Sequence, residues 1–217
     1  MTTTIARRLS YWLALAFAAV ALSGAISPSA DDRPAVEPPP GQLLVASAAM
    51  QDPRFRHSVI LLLRHDKTGA FGLIINHPVG ERLLAELLAA ADNTGAGSGN
   101  GQDETIEGTI RVFLGGPVQP QLGFVIHSAD YRRRETLVVG EQLAMTANQE
   151  VLRDIAHHQG PAKYLFAVGY AGWGAGQLEA EIAHRDWFTA PADPELVFDA
   201  DRDTVWDKAL ALRTREL

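Results

Sequence analysis

The stretch HSVILLLRHDKTGAFGLIIN (57–76) constrains the fold more than any other part of the chain. Val59 to Leu63 are five consecutive apolar residues, which predicts a strand buried on both faces. Asp66-Lys67-Thr68-Gly69 is a turn signal, and AFGLIIN (70–76) reads as the return strand. The segment 57–76 is therefore expected to be a β-hairpin, ended by Pro78.

The neighbouring patterns extend this picture. QLLVAS (42–47) reads as a first strand, and Pro53 excludes a continuous ladder after it. ERLLAELLAAA (81–91) predicts a helix with a stripe of Leu83, Leu84, Leu87 and Leu88. The polar, glycine-rich segment 92–104 reads as a mobile loop. Strands are expected at 109–115 and 123–128, around a turn in GGPVQPQ, and again at 136–139 and 143–146. A helix follows over 147–161, then a buried strand at 164–169, a short helix at 177–184, an edge strand at 186–190 and a closing helix at 201–212. Strands come as hairpins, with helices between groups of them. That order predicts an α+β fold with a mixed, mostly antiparallel sheet. No internal repeat is visible.

The first forty residues differ in character. Arg7-Arg8 precede an apolar run from Tyr11 to Leu22, and Ser23-Gly24-Ala25 supplies small residues after it. This is the layout of a secretory signal peptide, with an uncleaved membrane anchor over residues 9–26 as its variant. Residues 27–40 hold five prolines and read as an extended linker. The expected organisation is a leader or anchor at 1–26, a linker at 27–40 and one domain at 41–217. The leader implies a periplasmic or inner-membrane location.

Composition narrows the chemistry. The formal net charge is -7, which argues against binding nucleic acid by phosphate neutralisation; Arg132-Arg133-Arg134 is the best basic patch, and an exposed turn explains it. The chain has no cysteine, so thiol nucleophiles, thiolate metal sites and disulfides are excluded. No serine lies in a G-x-S-x-G elbow. The seven histidines show no familiar metal spacing, although His65, His77 and His127 each end a predicted strand and could converge. Glu179 and Glu181 are two apart on a helix and face different ways. No cofactor is implied.

The segment KYLFAVGYAGWGAGQLEAEI (163–182) carries four glycines around Trp173. Gly172 and Gly174 have Gln177 where a dinucleotide fingerprint needs glycine, and no P-loop Lys-Ser/Thr is present. The segment reads as a strand, a tight turn and a short helix. Trp173 is left open between an exposed aromatic anchor and a lid on the core.

GQLLVAS (41–47), DPRFRHSVILLLRHDKTGAFGLIINHP (52–78), VFLGGPVQPQLGFVIHS (112–128) and FAVGYAGWGAGQLEAEI (166–182) together resemble the YqgE/AlgH family of bacterial proteins. The resemblance runs from about 41 to 213. It implies one compact α+β domain with a flattened β core and helices around it, usually cytoplasmic, often labelled a transcriptional regulator, and with no catalytic residues to carry over. The leader and the insertion at 92–104 depart from the family pattern.

The reading that follows is a non-enzymatic regulatory or interaction domain with a protein partner, direct DNA binding being disfavoured. Its candidate surface gathers glycine-rich turns at strand ends: Asn76 and His77, Gly115 and Gly116, and Gly172, Trp173, Gly174, Gly176 and Gln177. The alternative is a small-molecule or anion binder, or an unrecognised enzyme. It would use the backbone N–H groups of 174–177, with Asn76, His77 and His127 supplying side chains.

Overall fold

The apolar run at 59–63 forms a strand covered on both faces, as its composition requires. In the computed structural model, which describes residues 38–93 and 106–213, β1 (Gln42–Ala46), β2 (Val59–Asp66) and β3 (Gly69–Ile74) are antiparallel neighbours. The predicted leader at 1–26, most of the linker and residues 94–105 of the glycine-rich insertion lie outside the described residues. Pro38, near the end of that linker, is buried, and its carbonyl oxygen lies 2.9 Å from His65 Nδ1.

Seven further strands follow: β4 (Pro78–Leu83), β5 (Thr109–Leu114), β6 (Val118–Ser128), β7 (Leu137–Val139), β8 (Leu143–Thr146), β9 (Tyr164–Gly174) and β10 (Trp187–Pro191). The strand order is β10-β1-β2-β3-β9-β6-β8-β7, with β5 on β9 and β4 on β5. The β5–β9 pair is parallel and every other pair antiparallel. The fold is α+β, with the mixed, mostly antiparallel sheet that the order of elements predicts. The helices are α1 (Leu84–Asn93), α2 (Glu150–Ala156), α3 (Gln177–Ala183) and α4 (Val205–Ala211). No described helix is long and apolar enough to cross a membrane.

β9 organises the sheet. Its second half pairs with β3, Ala70 opposite Trp173 and Phe71 opposite Gly172. Its first half pairs with β5 on one side and β6 on the other. The strand is thus shared between two cores. One gathers Leu44, Ile60, Leu62, Trp173, Leu178 and Trp187; the other gathers Leu88, Val112, Val125, Val151, Ile155 and Phe166.

Five expectations need correction. Pro78 does not end the strand region but opens β4; its residues are exposed throughout, so no apolar alternation announces them. Leu83 accordingly belongs to β4, and the helix begins at Leu84 rather than 81. GGPVQPQ is only partly a turn, because β6 starts at Val118 and crosses an irregular step before Gly123. Gly169, Gly172 and Gly174 are not a turn either: β9 continues through Trp173 to Gly174, and the turn is confined to Ala175 and Gly176. The closing helix begins only at Val205. A five-residue π-turn (Glu195–Asp199) and a 3-10 turn (Arg202–Thr204) precede it. The buried Arg202 guanidinium holds them by donating to the carbonyls of Val197 and Ala200.

Candidate functional site

The site is built where β9, α3 and β10 meet. Gly176 takes a left-handed conformation (φ 73°) that turns the chain from β9 into α3. Along β9, Trp173 points to the same face as Ala171, and both are core residues. Trp173 is 4% exposed and Trp187, on β10, 2%. Trp173 is therefore part of the core, and the exposed-anchor alternative does not hold. The two indoles pack edge to face, with centroids 5.9 Å apart at 82°, and Phe55 meets Trp187 at 5.6 Å and 72°.

One carboxylate joins these elements. Glu181 Oε2 accepts from Trp173 Nε1 and from Trp187 Nε1, each at 2.8 Å. Glu181 Oε1 accepts from Gln177 Nε2 at 2.8 Å, and Gln177 Oε1 accepts from the Gly174 amide at 3.0 Å. Glu179, two residues earlier, faces the other way and lies 2.9 Å from His65 Nε2. The divergence expected of the two glutamates is what the helix shows.

Above the indoles lies a cleft of about 370 Å³. Its floor includes Trp173 and Trp187, and its walls include Phe55, Val118, Gln177 and Asp186. At the rim Arg54 is held by Asp52, Nη2 to Oδ2 2.6 Å, and its guanidinium lies 5.7 Å from the Phe55 ring centre. No lining residue is Ser, Thr, His, Lys or Tyr, so the lining holds no hydroxyl or amine nucleophile and no histidine base.

A larger cleft of about 570 Å³ lies between β5 and the 195–204 turns. Several of its charges are used locally. Asp199 pairs with Lys163, Arg202 is spent on carbonyls, and Asp201 accepts from the Asp203 amide at 3.3 Å. Among the described residues no group of His, Asp and Glu is placed to hold a metal ion.

The remaining sequence candidates are not brought to this site. Asn76 is buried and acts as a piece of strand: Oδ1 accepts from the Val59 amide and Nδ2 donates to the His57 carbonyl, both at 2.8 Å. It and His77 lie beyond the far end of β3 from Ala70, the partner of Trp173, roughly 20 Å along a strand. Gly115 and Gly116 are wedged where β3, β6 and β9 meet, although the next residues, Pro117 and Val118, do reach the cleft. His127 pairs with Tyr164 at the opposite end of β9, about 30 Å from Trp173. The convergence of His65, His77 and His127 therefore does not occur. Arg133, the centre of the basic triplet, is committed to Asp154, which also accepts from the Tyr131 hydroxyl.

The anion reading of 174–177 also fails on geometry. The helix has only seven residues, its approach is filled by the Gln177 side chain on the Gly174 amide, and the Glu181 carboxylate stands beside it.

His127 has a role in stability instead. It is fully buried; Nδ1 donates to the Ser128 carbonyl at 2.9 Å, and among the described residues Nε2 has no partner. Protonating Nε2 would create a buried N–H without an acceptor. Burial accordingly pushes the imidazole below its ordinary value of 6.5, against a smaller upward pull from the Ser128 carbonyl. Burial lowers His77 as well. A histidine whose folded value is depressed leaves the unfolded chain binding more protons as pH falls below 6.5, so stability falls with it. Urea unfolding is expected to show a lower midpoint at about pH 5.5 than at about pH 7.5, and His127→Gln should flatten that dependence.

The fold and site define a class: an α+β protein built on one curled sheet, with a tryptophan-floored cleft at one end of its central strand β9. An AlgH-like family model matches residues 43–217, and this chain belongs to that family. It is 46% identical to a UPF0301 protein of Jannaschia sp. (strain CCS1), over 78% of this chain and 85% of that protein. It is 42% identical to a UPF0301 protein of Methylobacterium nodulans, over 82% and 85% respectively. Among solved structures it is similar to the AlgH protein from Pseudomonas aeruginosa, with 37% identity and a TM-score of 0.67, covering 86% of this chain and 92% of that one. Protein DIP2367 from Corynebacterium diphtheriae shares the fold, with a TM-score of 0.60 at 23% identity over 81% of this chain and 87% of that one.

Glu181, Trp187, Phe55 and Asp186 are the site residues that sequence reasoning missed. Trp187 falls in the predicted edge strand at 186–190, but nothing in the spacing ties it to Trp173. The link is Glu181, whose position between the two tryptophans is visible only once β10 returns beside β1.

Proposed function

We propose that this chain is a non-enzymatic interaction domain that exerts a regulatory effect through a protein partner, with the cleft over Trp173 and Trp187 as its docking surface. The observation that carries this reading is the cleft itself. It has an aromatic floor fixed by hydrogen bonds, an exposed rim at Gln51 and Arg54, and no hydroxyl, amine or imidazole side chain in its lining. A preformed aromatic floor inside a polar rim is the usual anatomy of a protein-binding hot spot. The signal-like pattern at 1–26 supports a periplasmic or inner-membrane setting, with membrane association through residues 9–26. There the partner is a protein and not a promoter.

Gln51→Trp tests the reading. The position is exposed, so the variant should fold with an unchanged unfolding midpoint while its bulk fills the rim. Proteins captured by the full-length chain should be lost from the variant. Capture of the same set at the same yield would remove the cleft from the proposal.

A further inference from the structure

We infer that the cleft takes a cationic side chain, the guanidinium or ammonium of an Arg or Lys exposed on the partner. This rests on the interaction reading and names the chemistry by which the partner is recognised. Two independent observations point to it.

The first is charge. Three carboxylates (Asp52, Glu181 and Asp186) line the cleft against one guanidinium, Arg54. Arg54 is already matched by Asp52 through a bidentate contact, Nε to Oδ1 at 3.0 Å and Nη2 to Oδ2 at 2.6 Å. Glu181 is satisfied by three donors, but all three are neutral N–H groups, so its charge is not cancelled. Among the described residues the Asp186 side chain has no hydrogen-bond or ionic partner, although it is half-buried in the wall. Two uncompensated carboxylates in a concave, partly desolvated site favour a cation more strongly than the same charges on an open surface. The chain's net charge of -7 steers basic partners in the same direction.

The second is the aromatic wall. Phe55, Trp173 and Trp187 line the cleft; the two indoles are almost fully buried, so half-buried Phe55 is the more accessible ring. Ring faces attract guanidinium and ammonium groups. The protein uses the same wall this way itself, because the Arg54 guanidinium lies 5.7 Å from the Phe55 ring centre. An anionic partner would meet the same carboxylates with no unpaired cation to receive it. An entirely apolar side chain would leave Asp186 without a partner.

The test uses the full-length chain labelled with ¹⁵N, reading the indole N–H signals of its four tryptophans. The probes are N-acetyl-arginine amide and its neutral isostere N-acetyl-citrulline amide. The arginine probe is expected to move the Trp173 and Trp187 signals. Trp206 should stay still, because its N–H donates to the Ala46 carbonyl, away from the cleft lining. Citrulline should bind at least about tenfold more weakly, and Asp186→Asn should weaken the arginine probe about tenfold. Raising salt from about 50 mM to about 500 mM should also weaken it, a readout that needs no variant. Equal binding of the two probes, or equal titration of wild type and Asp186→Asn, overturns the inference. If Gln51→Trp still sheds the partner while citrulline matches arginine, only the cation inference falls. If arginine binds selectively while Gln51→Trp captures the same proteins, the interaction reading falls instead.

Discussion

Gly116→Ala is expected to destroy the cooperative fold. A Cβ at this position would lie 2.1 Å from the Tyr170 carbonyl carbon and 2.2 Å from its oxygen, and the backbone there has φ +155°. These contacts are with backbone, which cannot rotate aside as a side chain can. The neighbouring Gly115 is pinned from both sides: its amide donates to Val168 of β9 and its carbonyl accepts from Ile74 of β3, each at 2.8 Å. The crossing chain therefore has nowhere to retreat. Overpacking against a fixed backbone at the seam of the sheet should cost about 4 kcal/mol or more, a large share of the stability of a domain this size. Gly140→Ala is the control. Its φ of +66° lies in the left-handed region, where alanine is disfavoured but allowed, and nothing lies within 4 Å, so it should cost only about 1–2 kcal/mol. Urea unfolding compares the two variants; equal midpoints would contradict the seam.

Glu181→Ala is the second large effect. It leaves the indole N–H groups of Trp173 and Trp187 without an acceptor in a site where both rings are almost fully buried. An unsatisfied buried donor costs about 1–3 kcal/mol, so loss of both should cost about 2–5 kcal/mol, the lower end applying if water from the cleft reaches them. Glu181→Gln keeps an oxygen for the indoles and should cost about 1 kcal/mol. The measurement is the unfolding midpoint together with tryptophan emission, which should shift to the red for alanine and stay in place for glutamine. Identical behaviour of the two variants would show that the carboxylate does not staple α3 to β9 and β10.

These two predictions concern residues that the sequence presents very differently. Gly115 and Gly116 stand out in it and suggest a functional turn. Their reason is local crowding between three strands that are distant in sequence, which no spacing rule reveals. Glu181 does not stand out, because its partners are eight residues back and six residues on, in two different strands. The central hairpin was legible because burial on both faces leaves an uninterrupted apolar run. β4 was not, since a strand paired only with β5 and exposed along its length needs no apolar face, and its Pro78, Gly80, Glu81 and Arg82 are residues that suit an edge. β9 was legible only in its first half. Its second half is built from glycines and Trp173, because Gly172 lies opposite Phe71 and the strand must pass beneath the aromatic group of Phe71, Phe124 and Tyr170. Read as a strand, that segment places Trp173 on the core face with Ala171; read as a turn, it leaves the tryptophan's fate open. The family was legible from long ordered motifs, yet those motifs mark mainly the seam and the staple. Asp52 and Arg54 open one motif and Asp186 lies outside them all, on a loop from another part of the chain, so no motif shows that the three share a cleft.

The central claim is that partners approach over Trp173 and Trp187 and not over another face. A photo-crosslinking amino acid placed at Gln51, in the full-length chain expressed in its native bacterium, tests it most directly. The control position is Leu137 on β7, exposed at the opposite end of the strand order from β10. Light-dependent adducts with a defined protein are predicted at position 51 and absent at 137. No adduct at 51, or the same adduct from both positions, would contradict the account.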